Sequence, residues 1–256
     1  MISLSMKRFP LFAAALCVAS FGSLLRAADL PKVLFFTKAS AYQHEVTKRV
    51  APDQLSLAEK QLTEAAKAAG AFELVASQDP AEMSPEKLKQ YAAVAFYTSG
   101  DLPIDKEALI DYVKNGGGFA CIHNALATLM TYKPYGEMVG AEFDGHPWDQ
   151  VVTVKVEDTD SPATKPLGAA SYTIKEEIYQ VKNWDRSKVH MLISLDNSSV
   201  DVSKGHREDK YYPLSWTKDF GQGKVFYSAF GHHPDVWNDE KMLKHFVEGI
   251  RLVLHK

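Results

Sequence analysis

The chain has 256 residues, 46% of them hydrophobic, with a formal net charge of −3 and two cysteines. Its length suffices to bury the core of one domain, and two cysteines offer no disulfide framework in place of that core. Nucleic acid and anionic membranes are not the expected partners, because both reward a clustered basic face.

The first residues read as an address. Lys7 and Arg8 precede the apolar stretch Leu11 to Leu25, and Leu25-Arg26-Ala27 offers a cleavage point. Residues 1–27 are therefore expected to be a signal peptide, and residues 28–256 the exported domain, periplasmic or secreted. A retained span needs about 20 apolar residues, so no stable membrane anchor is expected. Leu16 directly before Cys17 disfavours lipidation. Cleavage removes Lys7, Arg8 and Arg26 but no acid, so the charge moves from −3 to −6 and Cys121 is the one thiol left.

From Lys32 to Ile122 the pattern alternates strand and helix. Lys32–Phe36 is a continuous apolar run, as in a strand covered on both faces. Leu55, Ala58, Leu62, Ala65, Ala66 and Ala69 share one helical face that Gly70 closes. Phe72–Val75 is a weaker strand, Ser84-Pro85 opens a short helix, and Ala92–Tyr97 is again a buried strand. A helix over Lys106–Lys114 ends at Gly116-Gly117-Gly118, before the apolar run Phe119–Ile122. Such alternation predicts parallel strands joined by crossovers.

The second half changes character. Val152, Val154 and Val156 alternate with polar residues, as in a strand with one wet face. Ser171–Val181 and Val189–Leu195 add strands, and Tyr211–Thr217 pairs with Lys224–Phe230 around Gly221-Gln222-Gly223. Met242, Leu243, Phe246, Val247, Ile250 and Val253 mark a terminal helix. The expected fold is an α/β three-layer sandwich with a mostly parallel central sheet and an added antiparallel portion.

In open α/β sheets, ligands sit beyond the carboxyl ends of the strands. Tyr42, His44 and Glu45 follow the first strand, Ser99 the third, His123 and Asn124 the fourth, and His232 and His233 the last. Three of these four edges deliver histidine. A lone loop histidine is usually solvated or structural, and His190, His206, His245 and His255 are read so. The run from Gly116 to Ala125 reads as a strand entering a sharp elbow with His123 at its tip, where it can act as acid, base or metal ligand.

In order and spacing, the chain resembles the ThuA-like (trehalose-utilisation) family on the class I glutamine amidotransferase-like, flavodoxin-like fold. The resemblance is carried by His44-Glu45, Gly117-Gly118-Phe119 with Ile122-His123, Phe143 with Gly145-His146-Pro147, Glu177-Ile178-Tyr179, Trp216 with Gly221–Val225, and Gly231-His232. It implies an amidotransferase fold whose elbow nucleophile is replaced by histidine, and work on glucosides oxidised at C3. One departure is Cys121, where the family is expected to carry a small residue.

The leading expectation is a carbohydrate-active hydrolase, lyase or isomerase acting on keto-glucosides. His123, His44 and Glu177 are its catalytic candidates. His146, His232, His233, Tyr179, Trp148, Asn124 and Ser99 are its substrate-binding candidates. His44, His123 and His232 with Glu177 also suit a divalent zinc, manganese or iron ion. A non-catalytic sugar-binding module is the second expectation, with Tyr42, Trp148, Tyr179 and Trp216 as stacking or core residues. A cysteine-dependent amidase on Cys121 is the third, opposed by a register that places the thiol inside a strand.

Overall fold

The computed structural model describes residue 1 and residues 30–254. The expected signal peptide, Met1 apart, and His255 lie outside the described residues. Five parallel strands, β1 (Lys32–Phe36), β2 (Glu73–Ser77), β3 (Ala93–Phe96), β4 (Gly118–Ile122) and β11 (Gly223–Ser228), form one half of the sheet. Between them run α1 (Leu57–Ala68), α2 (Pro85–Leu88), α3 (Lys106–Lys114) and α4 (Lys133–Val139). The excursion between α4 and β11 carries β5 (Glu142–Phe143), β6 (Trp148–Val156), β7 (Ser171–Ile178), β8 (Val181–Lys182), β9 (His190–Leu195) and β10 (Pro213–Phe220). Two helices, α5 (Pro234–Asn238) and α6 (Glu240–Val253), close the chain.

Local chemistry explains the boundaries. Ser56 and Glu59 form a reciprocal capping box at the start of α1, and Gly70 adopts φ +56° just past its end. β1, β3 and β4 are apolar at nearly every position because both of their faces are covered. The hairpin falls where its glycines place it, with Phe220 opposite Gly223. The sequence signals neither α4 nor the two-residue pair β5–β8.

The nine-stranded order is β2-β1-β3-β4-β11-β10-β9-β6-β7. Helices cover it in two groups, α1 with α5 and α6, and α2 and α3 with α4, so the expected three layers are present. Among the described residues no helix is long and apolar enough to cross a membrane. The crossover reverses direction between β1 and β3, and such a switch point opens a crevice beyond the strand ends.

The antiparallel portion supplies the other wall of that crevice. Only Val154–Val156 of β6 pair with β9, whereas Trp148–Lys155 pair along β7. The ribbon's free end, Trp148 to Gln150 opposite Glu176 to Ile178, reaches back to the carboxyl end of β11. There the Glu176 carboxylate receives the amides of Gly231 (2.7 Å) and His232 (3.1 Å).

Candidate functional site

His123 stands at the end of β4 with φ +47°, a left-handed conformation that costs a non-glycine residue of order 1–3 kcal/mol and persists only where its surroundings hold it. The elbow expected from the sequence is therefore present, followed by a 3-10 turn over His123–Ala127. Ala229 at the end of β11 fixes the ring. Its carbonyl lies 2.6 Å from Nδ1 and can only accept, so Nδ1 carries the proton and Nε2 presents a lone pair.

Three other groups meet that lone pair. His44 Nε2 lies at 3.2 Å, His232 Nδ1 at 3.3 Å and Glu177 Oε2 at 3.5 Å. His232 Nδ1 is also 3.2 Å from Glu177 Oε2. These spacings match the edges of about 3.3 Å that four nitrogen and oxygen ligands form around a tetrahedral zinc. The cluster of His44, His123, Glu177 and His232 can therefore hold a metal ion.

Electrostatics separate the members. Burial pushes His44 down to about 3, reinforced by the neighbouring imidazoles His123 and His232. His123 is likewise lowered by burial, so both rings are neutral and able to ligate or accept a proton. Burial alone would raise Glu177, but hydrogen bonds from His123 and His232 outweigh it and hold the carboxyl below the usual carboxylate range. His232 is raised, mainly through its hydrogen bond with Glu177.

Further contacts hold these groups in place. The Tyr42 carbonyl accepts Ser99 Oγ (2.7 Å) and Asn124 Nδ2 (3.3 Å), which ties the His44 loop to β3 and to the His123 turn. Tyr179 donates to Asn124 Oδ1, and its ring centroid lies 4.6 Å from that of His123. Ser99, Asn124 and Tyr179, expected to bind substrate, thus brace the cluster. The Gly231 carbonyl accepts both Tyr97 Oη (3.0 Å) and Trp237 Nε1 (2.8 Å), which locks the backbone before His232.

The remaining candidates divide. His146 is 55% exposed with Nδ1 3.2 Å from Glu177 Oε1, so it forms the rim. His233 turns from the inner cluster to pair with Asp149 at 2.7 Å. Trp148 is corrected: it is buried, packs on Tyr212 and donates to the Asp201 carbonyl, so no sugar ring can stack on it. Trp216 is core in the same way, donating to the Val139 carbonyl. His245 is buried between Ser228 and the Ala163 carbonyl, and His190 and His206 form exposed pairs with Asp158 and Asp144. Cys121 lies wholly buried within β4, and burial pushes its thiol up, away from the thiolate that an amidase would need.

The sequence does not single out Glu176, Tyr97 or Asp149. Glu176 nonetheless carries a signal: Ile174, Glu176 and Ile178 occupy the inward phase of β7, where an isolated carboxylate needs donors. Burial pushes it up to about 8 against the Gly231 and Glu177 amides that it accepts. The cavity of about 520 Å³ lined by Tyr91, Tyr112 and Gly117 lies at the amino ends of β3 and β4, away from the cluster.

This architecture and its histidine elbow define a class I glutamine amidotransferase-like protein without a cysteine nucleophile at the elbow tip. The trehalose-utilisation family model, ThuA, matches residues 32–253, and the chain belongs to that family. Solved relatives agree on the fold. A ThuA-like protein from Bacteroides uniformis ATCC 8492 is 23% identical, with TM-score 0.66 over 89% of this chain and 94% of its own. A ThuA-like protein from Parabacteroides merdae ATCC 43184 is 15% identical, with TM-score 0.64 over 88% and 90%. A GMP synthase protein from Thermoplasma acidophilum is 9% identical, with TM-score 0.54 over 88% and 94%. Among curated proteins there is no match.

Proposed function

We propose that this ThuA-family protein is an exported enzyme that modifies sugars, with keto-glucosides as substrates and a zinc, manganese or iron ion in the His44–His123–Glu177–His232 cluster. The observation that carries the reading is the convergence of three ring nitrogens and one carboxylate oxygen within 4.8 Å of one another, beyond the ends of parallel strands.

A bound divalent ion would supply Lewis acidity toward a carbonyl or hydroxyl oxygen. The chain's own groups account for the rest. A ketone at C3 acidifies the neighbouring C–H, so a modest base suffices for elimination or isomerisation. His146, on the exposed side of Glu177, is placed to take or return that proton and to pass it to the carboxylate 3.2 Å away. Tyr42, 66% exposed with its ring centroid 4.8 Å from that of His44, offers an aromatic face to a sugar ring at the mouth. Glycosidic cleavage by elimination and hydration needs no second catalytic carboxylate facing Glu177, unlike ordinary glycoside hydrolysis.

The test is incubation of the purified mature protein with a 3-keto-glucoside, with and without a chelator, followed by mass spectrometry. Product that disappears in His123→Ala and on chelation is expected. Saturable sugar binding without product, from a correctly folded protein, would leave the binding module as the function.

A further inference from the structure

We infer that the site has a second cation position, made by Asp149 and His233 and adjoining the inner cluster through His232. The inference rests on reading the inner cluster as a metal centre.

Asp149 and Glu177 are directly opposite each other across the β6–β7 ribbon, so their side chains share one face. Two carboxylates so placed repel, and a site that keeps them together needs positive charge between them. Successive histidines divide them. His232 Nδ1 lies 3.2 Å from Glu177 Oε2, and His233 Nε2 lies 2.7 Å from Asp149 Oδ1. The two rings are 4.7 Å apart between centroids, and ligand atoms from Asp149, His232 and His233 all fall within 4.8 Å of one another. One carboxylate and two imidazoles suit zinc or another first-row divalent ion, with open positions left for water or substrate.

The two positions differ in access. His44 and His123 are buried, whereas the Asp149 side chain is 49% exposed. Sharing His232 has a chemical consequence. Its Nδ1 serves the inner cluster, so only its other ring nitrogen can serve the outer one, after its proton has left to solvent. Filling both positions therefore releases one proton more than filling either alone. Paired cations of this kind hold two oxygens of a substrate at once, which suits a sugar presenting adjacent carbonyl and hydroxyl oxygens.

The test is zinc stoichiometry of the chelator-stripped protein, by titration calorimetry and elemental analysis after desalting. It is done in a His190→Gln/His206→Gln background, which removes the exposed pairs with Asp158 and Asp144. Two equivalents are expected, falling to one in Asp149→Asn/His233→Ala, with Asp149→Asn alone weakening the second equivalent at least tenfold. One equivalent that is lost in His123→Ala but unchanged by Asp149→Asn/His233→Ala would overturn the second position and leave the inner centre standing. Two equivalents that survive Asp149→Asn/His233→Ala would also overturn it, and no bound zinc at all would overturn both.

Discussion

Glu176 holds His232 by its backbone while Glu177 holds the same residue by its ring. The Glu176 carboxylate accepts the His232 amide at 3.1 Å, and Glu177 Oε2 lies 3.2 Å from His232 Nδ1. Two ligands from distant parts of the chain are thereby kept in one register. Glu176→Gln leaves one carbonyl oxygen to serve the amides of Gly231, His232 and Glu177 and turns an NH2 toward them. Losing charge-assisted hydrogen bonds in a buried site costs on the order of 2–3 kcal/mol. Zinc affinity is expected to fall at least tenfold in Glu176→Gln, with Glu176→Asp restoring part of it, as measured by competition with a chromophoric chelator. Unchanged affinity in a folded Glu176→Gln protein would remove Glu176 from the positioning role.

Metal binding stabilises whatever state holds the ligands together, by about 2.7 kcal/mol at one hundred times the dissociation constant. Thermal melting of the stripped protein should therefore rise by several degrees on adding zinc. In His44→Gln that rise should vanish, because one inner ligand is gone. A rise of equal size in the variant would show that zinc is held elsewhere.

Acid sensitivity has a source outside the site. Burial pushes His245 down to about 4 from its ordinary 6.5. The unfolded chain then binds more protons than the native one below about pH 6.5, so this contribution to stability is present above that pH and is lost as pH falls toward 4. The loss amounts to a few kcal/mol, on the order of 1.4 kcal/mol per pH unit. Melting temperature should drop steadily between pH 6.5 and 4, and His245→Gln should flatten the profile. His44 adds to the slope in the stripped protein, since its pKa is also depressed, to about 3.

Gly249 tests close packing of α6 on the sheet. A Cβ there would sit 2.2 Å from Phe226 Cζ. Replacing glycine with alanine inside a helix ordinarily gains about 1 kcal/mol, but overpacking costs roughly 1–3 kcal/mol. Gly249→Ala should therefore lower the denaturation midpoint. A raised midpoint would mean that the Phe226 ring swings aside without penalty.

The alternation of apolar runs from Lys32 to Ile122, the glycine-marked hairpin and the helical spacing of Met242 to Val253 determined the sheet half and its covering helices. These signals are local, so they survive without tertiary context. Placing His44, His123 and His232 at strand ends was legible for the same reason, because parallel strands carry their carboxyl ends to one side. What the tertiary structure alone decided is how the β6–β7 ribbon meets that side. Only Val154–Val156 of β6 join the main sheet, and that register brings Glu177 to His123 and makes Glu176 the anchor of Gly231 and His232. Trp148 shows the same limit in reverse: beside a turn histidine it reads as a sugar platform, yet packing against Tyr212 puts it in the core. A strand announces which residues share a face, but the partner of that face is chosen by long-range pairing, which no local pattern encodes.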